Sequence, residues 1–316
     1  MKARIPNSTV RKTLIWLYKI ALGVPVGLWV IIALSPWPKP RLATLWAFRQ
    51  AGGCSLADAA NSASHIGKMA SIRDEIGEAD RIIDQDGPLD LVQTSAERWW
   101  VNKNDRSLPF LLAEQSLQIY GAGDEGVQKG DIVLDCGANV GVFTKTALSR
   151  GARIVVAIEI APTTIECLKR NFAPEISAGR VVVYPKGVWN KVDSMEMAEV
   201  DADNFGENSV VLGRELKNKT KVPMTTIDII ANDLQLPRVD FIKMDIEGAE
   251  KQALLGARHV IQRFHPRLAI SCEHLPNDFR DMPELVSSIQ SGYRVHANDC
   301  YDFGYRVRPE VLLFEY

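Results

Sequence analysis

The feature that most restricts the fold is an alternation, beginning after Lys129-Gly130, of short apolar segments with amphipathic ones. Residues 131–136 form a short apolar run and lead into a helical pattern over 140–149. Residues 153–160 are almost wholly apolar and rich in β-branched side chains, as befits a strand covered on both faces. A helix over 162–172, a strand over 180–184, a helix over 226–232 and a strand over 239–244 continue the series. A helix over 249–263 and a fifth strand over 267–272 extend it, and 293–296 with 311–314 read as closing strands. The stretch 194–224 holds strand-like pieces too irregular to place. Alternating strands and helices form a parallel sheet with helices on both faces, and ligands then bind beyond the carboxyl ends of the strands. The expected fold class is therefore α/β, doubly wound and Rossmann-like, over residues 111–316.

Upstream the reading differs. Residues 1–12 are basic, and residues 13–36 are apolar enough for a membrane segment. Roughly 22 residues at 1.5 Å each just span a hydrocarbon core of about 30 Å. Trp16, Tyr18, Trp29 and Trp37 suit the interfacial zone. Lys19, Gly23, Pro25 and Gly27 make the span imperfect, so it crosses the bilayer or enters and leaves one leaflet. Residues 37–110 read as a helical linker and pre-core region, with connecting helices over 41–83, a turn at Asp86-Gly87-Pro88 and a short strand or hairpin over 89–101. A helix over 109–120 leads into the main domain. The net charge of −2 and the even spread of both signs give no cationic groove for nucleic acid. The five cysteines (Cys54, Cys136, Cys167, Cys272 and Cys300) are widely spaced with no CxxC pair, and are read as reduced core thiols.

Three clusters carry chemistry. In Val133-Leu134-Asp135-Cys136-Gly137-Ala138-Asn139-Val140-Gly141 the glycines permit a tight turn from strand to helix and a close backbone approach to a ligand. The pattern is D-x-G-x-x-x-G rather than the G-x-G-x-x-G that cradles a dinucleotide. An acid at the end of the first strand repels phosphate but suits the cationic amino-acid part of S-adenosylmethionine. Asp135, Gly137, Asn139 and Gly141 are thus candidate cofactor residues. Glu159 ends the second strand, where a carboxylate can accept from both ribose hydroxyls. The second cluster runs from Asp240 to Glu250: Asp245 reaches the crevice, while Glu247 and Glu250 fall in the first turn of a helix and complement its dipole. The third is Glu273-His274, where His274 is a candidate general base. Asp245 and His274 are the catalytic candidates; in a metal-dependent variant Asp245 and Glu273 would hold a divalent cation such as Mg2+. His65, His259, His265 and His296 are read as structural.

The stretch from about Glu114 onward resembles the FkbM-type methyltransferase family. The resemblance rests on Gly130 through Gly141, on Thr225-Thr226-Ile227-Asp228, and above all on the run Asp240 through Glu250. It implies methyl transfer from S-adenosylmethionine to an oxygen, often a sugar or natural-product hydroxyl. It also implies a seven-stranded sheet with the last strand antiparallel, with Asp135, Gly137 and Gly141 at the methionine end of the cofactor and Glu159 at its ribose. The apolar amino-terminal segment lies outside the family core. It points to membrane lipid as a partner, to a lipid-linked glycan or other membrane-associated acceptor, and to a catalytic domain facing the cytosol, where the cofactor is made. Two rivals remain: a membrane-tethered nucleotide-binding or scaffold protein without turnover, and an NAD-dependent oxidoreductase, which the glycine pattern and Asp135 disfavour.

Overall fold

A computed structural model describes residues 52–198, 219–302 and 307–316. The membrane segment expected over 13–36 lies outside the described residues, and among these no helix is long and apolar enough to cross a membrane. Helix α1 (Leu56–Ala79) precedes strands β1 (Arg81–Asp86), β2 (Leu89–Gln93) and β3 (Arg98–Asn102), and α2 (Leu108–Leu117) follows. The main domain then continues with β4 (Ile132–Cys136), α3 (Val142–Ser149), β5 (Ile154–Ile158), α4 (Pro162–Asn171), α5 (Ala173–Ser177) and β6 (Val181–Tyr184). Next come β7 (Gly187–Val188), β8 (Asp193–Ala198), β9 (Lys219–Thr225), α6 (Ile227–Asp233), β10 (Phe241–Met244), α7 (Glu250–Leu255) and α8 (Arg258–Phe264). Strand β11 (Arg267–Ser271), helix α9 (Asp278–Ile289) and strands β12 (Arg294–Asp302) and β13 (Val307–Glu315) close the chain.

The central sheet has seven strands in the order β12-β13-β11-β10-β4-β5-β6. Neighbours from β6 to β11 pair in parallel, whereas β13 runs antiparallel to both β11 and β12. This is the doubly wound sheet with a reversed last strand that the sequence led us to expect. The pleat sends alternate residues to opposite faces. Val133, Val155 and Phe241 enter one core cluster; Leu134, Val156 and Ile242 enter the other. The order reverses beside β4, since β5 continues one way and β10 the other. The crevice above that reversal is where ligands bind in such sheets.

Ahead of the domain, the hairpin expected over 89–101 is present as β2 and β3, but it gains a third strand that the linker reading lacked. Helix α1 stops at Ala79, and residues 81–102 form a three-stranded antiparallel sheet. This sheet docks on α4. Asn171 donates to Trp100 O (3.0 Å) and accepts from Trp100 N (2.7 Å), while Asn102 donates to Thr164 Oγ1 (2.8 Å). Trp99 is buried in the main core. Those long-range bonds are what local patterning could not foresee. The expected helix over 249–263 is split at Gly256, where a Cβ would collide with the Trp189 carbonyl. The motif residues explain the restart: Thr226 Oγ1 accepts from Ile229 N to cap α6, and the Asp228 carboxylate accepts from His259 N and Val260 N to cap α8. Helix α9 was not foreseen, because Pro283 sits inside it and proline ordinarily ends a helix. Its buried Met282, Val286 and Ile289 nonetheless follow helical spacing.

The cysteine reading needs a correction. Cys136, Cys167 and Cys272 are free and buried as expected, but Cys54 and Cys300 form a disulfide. The start of α1 packs on β12, which brings the two Cα atoms to 6.3 Å across 246 residues of sequence. Spacing could not reveal a pairing made by packing at the sheet edge. A cross-link closing so long a loop is worth on the order of 4 kcal/mol. Cys54→Ser is therefore expected to lower unfolding stability by about that amount in oxidised protein and to leave reduced protein unchanged, as denaturant titration with and without dithiothreitol will read out.

Candidate active site

Strand β4 delivers the glycine turn to the crevice. Gly137 and Gly141 adopt φ of 77° and 99°, open only to glycine at little cost. A Cβ on Gly137 would strike the Asp245 carbonyl, and one on Gly141 would strike the Phe172 ring. The two strand-end loops can approach each other only because position 137 lacks a side chain. Above them lies a cavity of about 420 Å³, whose lining includes Gly137, Asn139, Glu159 and Val188 together with Glu114, Asp245 and Glu273. That volume is typical of a small-molecule site.

Glu159 stands at the cavity as expected, but its carboxylate already has partners. It accepts from the backbone N–H groups of Asn139 (2.9 Å), Ile160 (2.7 Å) and Ala161 (2.9 Å). A carboxylate offers about four acceptor positions, so room remains for one ribose hydroxyl rather than both. Burial raises its pKa, against which the backbone N–H groups work.

Asp135 departs from its expected role. It is fully buried, accepts from Thr144 Oγ1 at 2.6 Å and lies 3.6 Å from Lys243 Nζ. The pleat turns it into the sheet rather than toward the cofactor's amino acid. Gly141 likewise does not reach the cavity; it starts α3 and leaves space for Phe172. Gly137 and Asn139 do line the cavity. Sequence reasoning missed Lys243 altogether. Its ammonium donates to Gly137 O (2.9 Å) and sits between Asp135 and Asp245, 3.9 Å from the latter, under the Tyr120 ring. Burial opposes its charge, but the carboxylates of Asp135, Asp245 and Glu114 prevail and its pKa is raised. Alternation along β10 was the available signal, since Lys243 interrupts an otherwise apolar strand.

Asp245 reaches the crevice as expected and accepts from Tyr120 Oη at 2.7 Å. Burial acts to raise its pKa, yet Lys243 and His274 outweigh it and hold the carboxyl below its ordinary range. His274 Nε2 lies 3.6 Å from Asp245 and 3.7 Å from Glu247, and Nδ1 lies 3.1 Å from Glu250. Burial disfavours the imidazolium, but Glu247, Glu250 and Asp245 push its pKa to about 12. His274 is thus protonated at neutral pH and cannot act as the general base proposed from sequence. Surrounding carboxylates, invisible in a lone Glu-His dipeptide, decide this. Glu250 takes the plain role of a turn closer, accepting from Ile246 N and Gly248 N. Glu247 has a left-handed φ of 56° and lines the cavity.

Glu273 lines the cavity too. Burial, with the nearby charges of Asp245 and Glu247, raises its pKa to about 7 despite the opposing His274 imidazolium. The pair named for a divalent cation, Asp245 with Glu273, is not the set that converges. Among the described residues it is Asp245, Glu247 and His274 whose ligand-type atoms lie within 4.8 Å of one another, and the imidazolium already supplies a cation there.

A seven-stranded doubly wound sheet, a glycine turn and a carboxylate ending the second strand together mark the class of S-adenosylmethionine-dependent methyltransferases. A family model described as the methyltransferase FkbM domain matches residues 135–301. The chain belongs to the FkbM methyltransferase family. It is 44% identical over 54 residues, 17% of its length, to a probable ribosomal RNA small subunit methyltransferase A from Methanospirillum hungatei, of which the match spans 21%. Among solved structures it resembles methyltransferase FkbM from Methylobacillus flagellatus, with 17% identity and a TM-score of 0.44 over 86% of this chain and 65% of that one. It also resembles TYW2 of P. horikoshii in complex with MeSAdo, with 14% identity and a TM-score of 0.36 over 74% of this chain and 72% of that one. The chain thus spans about a fifth of the curated relative and under two thirds of the FkbM structure.

Proposed function

We propose that the chain methylates a hydroxyl of a sugar, glycan or natural product, and that residues 13–36 hold it at a membrane where the acceptor is lipid-linked. The observation that carries the O-methylation reading is a single cavity lined by two unlike sets of groups. One offers Glu159 and a side-chain-free turn to a nucleoside; the other offers a carboxyl with a pKa near neutrality. S-adenosylmethionine, when bound, supplies an electrophilic methyl group on sulfur. Glu159 holds a ribose hydroxyl, and the absent side chain at Gly137 leaves room beside it. Asp245, fixed by Tyr120 and Lys243, accepts a hydrogen bond from the acceptor and orients it. Glu273 takes the hydroxyl proton, since a base works best when its pKa lies near the working pH. The imidazolium of His274 balances the negative charge around it. Orientation accounts for most of the rate gain in such a transfer.

Calorimetric titration of the full-length chain with S-adenosylhomocysteine, NAD and NADP tests the cofactor. S-adenosylhomocysteine is expected to bind, and Glu159→Gln to weaken it on the order of tenfold by removing one charge-assisted hydrogen bond. Binding of a nicotinamide dinucleotide alone would overturn the reading. Silence from all three would favour a scaffold that kept the fold without the chemistry.

A further inference from the structure

The cavity wall carries a carboxyl group that no hydrogen bond or ion pair among the described residues satisfies. Of the cations on that wall, Lys243 is engaged by Asp135 and Asp245, His274 by Asp245, Glu247 and Glu250, and Lys186 lies over the Tyr184 ring. Glu114, on α2, is the outstanding case. It is only 6% exposed, its side chain makes no hydrogen bond or ion pair among the described residues, and what surface it keeps faces the cavity. Burial, followed by the charges of Glu310, Asp245 and Glu273, drives its pKa well above the ordinary value against the opposing charge of Lys243. Glu273, also on the cavity wall, differs in having the charges of His274 and Arg308 acting on it. A buried carboxyl without a partner costs on the order of 1–3 kcal/mol or more. Nothing in the packing requires one here, because Phe110 and Leu111 on the same helix show that the wall accepts apolar residues.

Resting on the methyltransferase reading, we propose that the acceptor carries a protonated amine beside the hydroxyl to be methylated, and that Glu114 is the residue that binds this ammonium. The amine recovers the hydrogen bonds and the counter-charge that Glu114 lacks. Its charge pairs with Glu114, which a neutral hydroxyl would leave without a counter-charge. Glu114 therefore determines specificity for aminated over neutral acceptors, while Asp245 and Glu273 serve the reacting hydroxyl.

The test uses the full-length chain saturated with S-adenosylhomocysteine and titrated with methyl glucosaminide, its N-acetyl derivative and methyl glucoside. The free amine is expected to bind at least tenfold more tightly than the other two, and Glu114→Gln is expected to abolish that difference. Unchanged affinity of Glu114→Gln for S-adenosylhomocysteine reports an intact fold. Equal affinity for all three glycosides, or none for the amine, overturns the proposal while the retained S-adenosylhomocysteine binding leaves the methyltransferase reading standing. If Glu114→Gln instead weakens binding of S-adenosylmethionine relative to S-adenosylhomocysteine, the charge serves the sulfonium and the proposal falls. Failure to bind S-adenosylhomocysteine at all would sink both.

Discussion

Replacing Lys243 with methionine is expected to destabilise the protein by about 3–5 kcal/mol, the usual consequence of breaking a buried ion pair from one side. Lys243 is the only cation beside Asp135 among the described residues, and both side chains are almost wholly shielded, at 5% and 0% exposure. Methionine matches the length of the side chain but leaves Asp135 with the Thr144 hydroxyl alone and leaves Gly137 O without its donor. The double change Asp135→Asn with Lys243→Met removes both charges and is expected to recover a large part of the loss. Thermal denaturation of the three variants checks this directly. A single-variant cost under 1 kcal/mol would mean that solvent reaches the pair and that it does not organise the two strand-end loops.

Changing Glu273 to glutamine is expected to lower kcat by 10²–10⁴, the range for loss of a general base. In the wild type, the carboxyl is protonated below about pH 7 and cannot accept a proton. Activity should therefore rise with pH through an apparent pKa of about 7 and then level. The groups that set this value are the charges of His274, Asp245, Glu247 and Arg308 acting on a buried carboxyl. Stability moves the opposite way. Because the folded pKa exceeds the unfolded value of about 4.3, the unfolded chain sheds this proton first, and stability falls as pH climbs from about 4.3 to 7. Glu273→Gln should thus be no less stable than the wild type at pH 8 while being nearly inactive. A pH–rate profile and a denaturation curve on the same variant separate the two effects. Wild-type-like turnover with an unshifted profile would assign the proton to another group.

Much of the architecture was legible because it rests on local regularities. Strands β4, β5, β10 and β11 are apolar runs buried on both faces, and such runs announce themselves in sequence. The glycine turn was legible for a related reason: positive φ at Gly137 and Gly141 restricts the residue type at those positions. The site was legible only as a set of positions. That Asp245, Glu273 and His274 end adjacent parallel strands followed from the strand assignments, and the cavity does collect them.

Roles were harder. A histidine beside a glutamate reads as a base until Glu247 and Glu250 are folded around it, when the same imidazole becomes a fixed cation. Asp135 shows the parallel case. The sequence placed it at the strand end, but the side to which the pleat turned it, and the lysine waiting there, belong to the pairing of β4 with β10. The docking of the β1–β3 sheet on α4 and the Cys54–Cys300 bond were equally out of reach, since each joins segments far apart in the chain. The sequence by itself determined the strand–helix order, the glycine turn and the family. Tertiary structure alone decided which carboxyls keep their protons, which cation faces which acid, and which cavity carboxyl has no ion pair among the described residues. Propensity and backbone restriction act over a few residues, whereas burial and Coulomb interactions depend on neighbours that only the completed fold supplies.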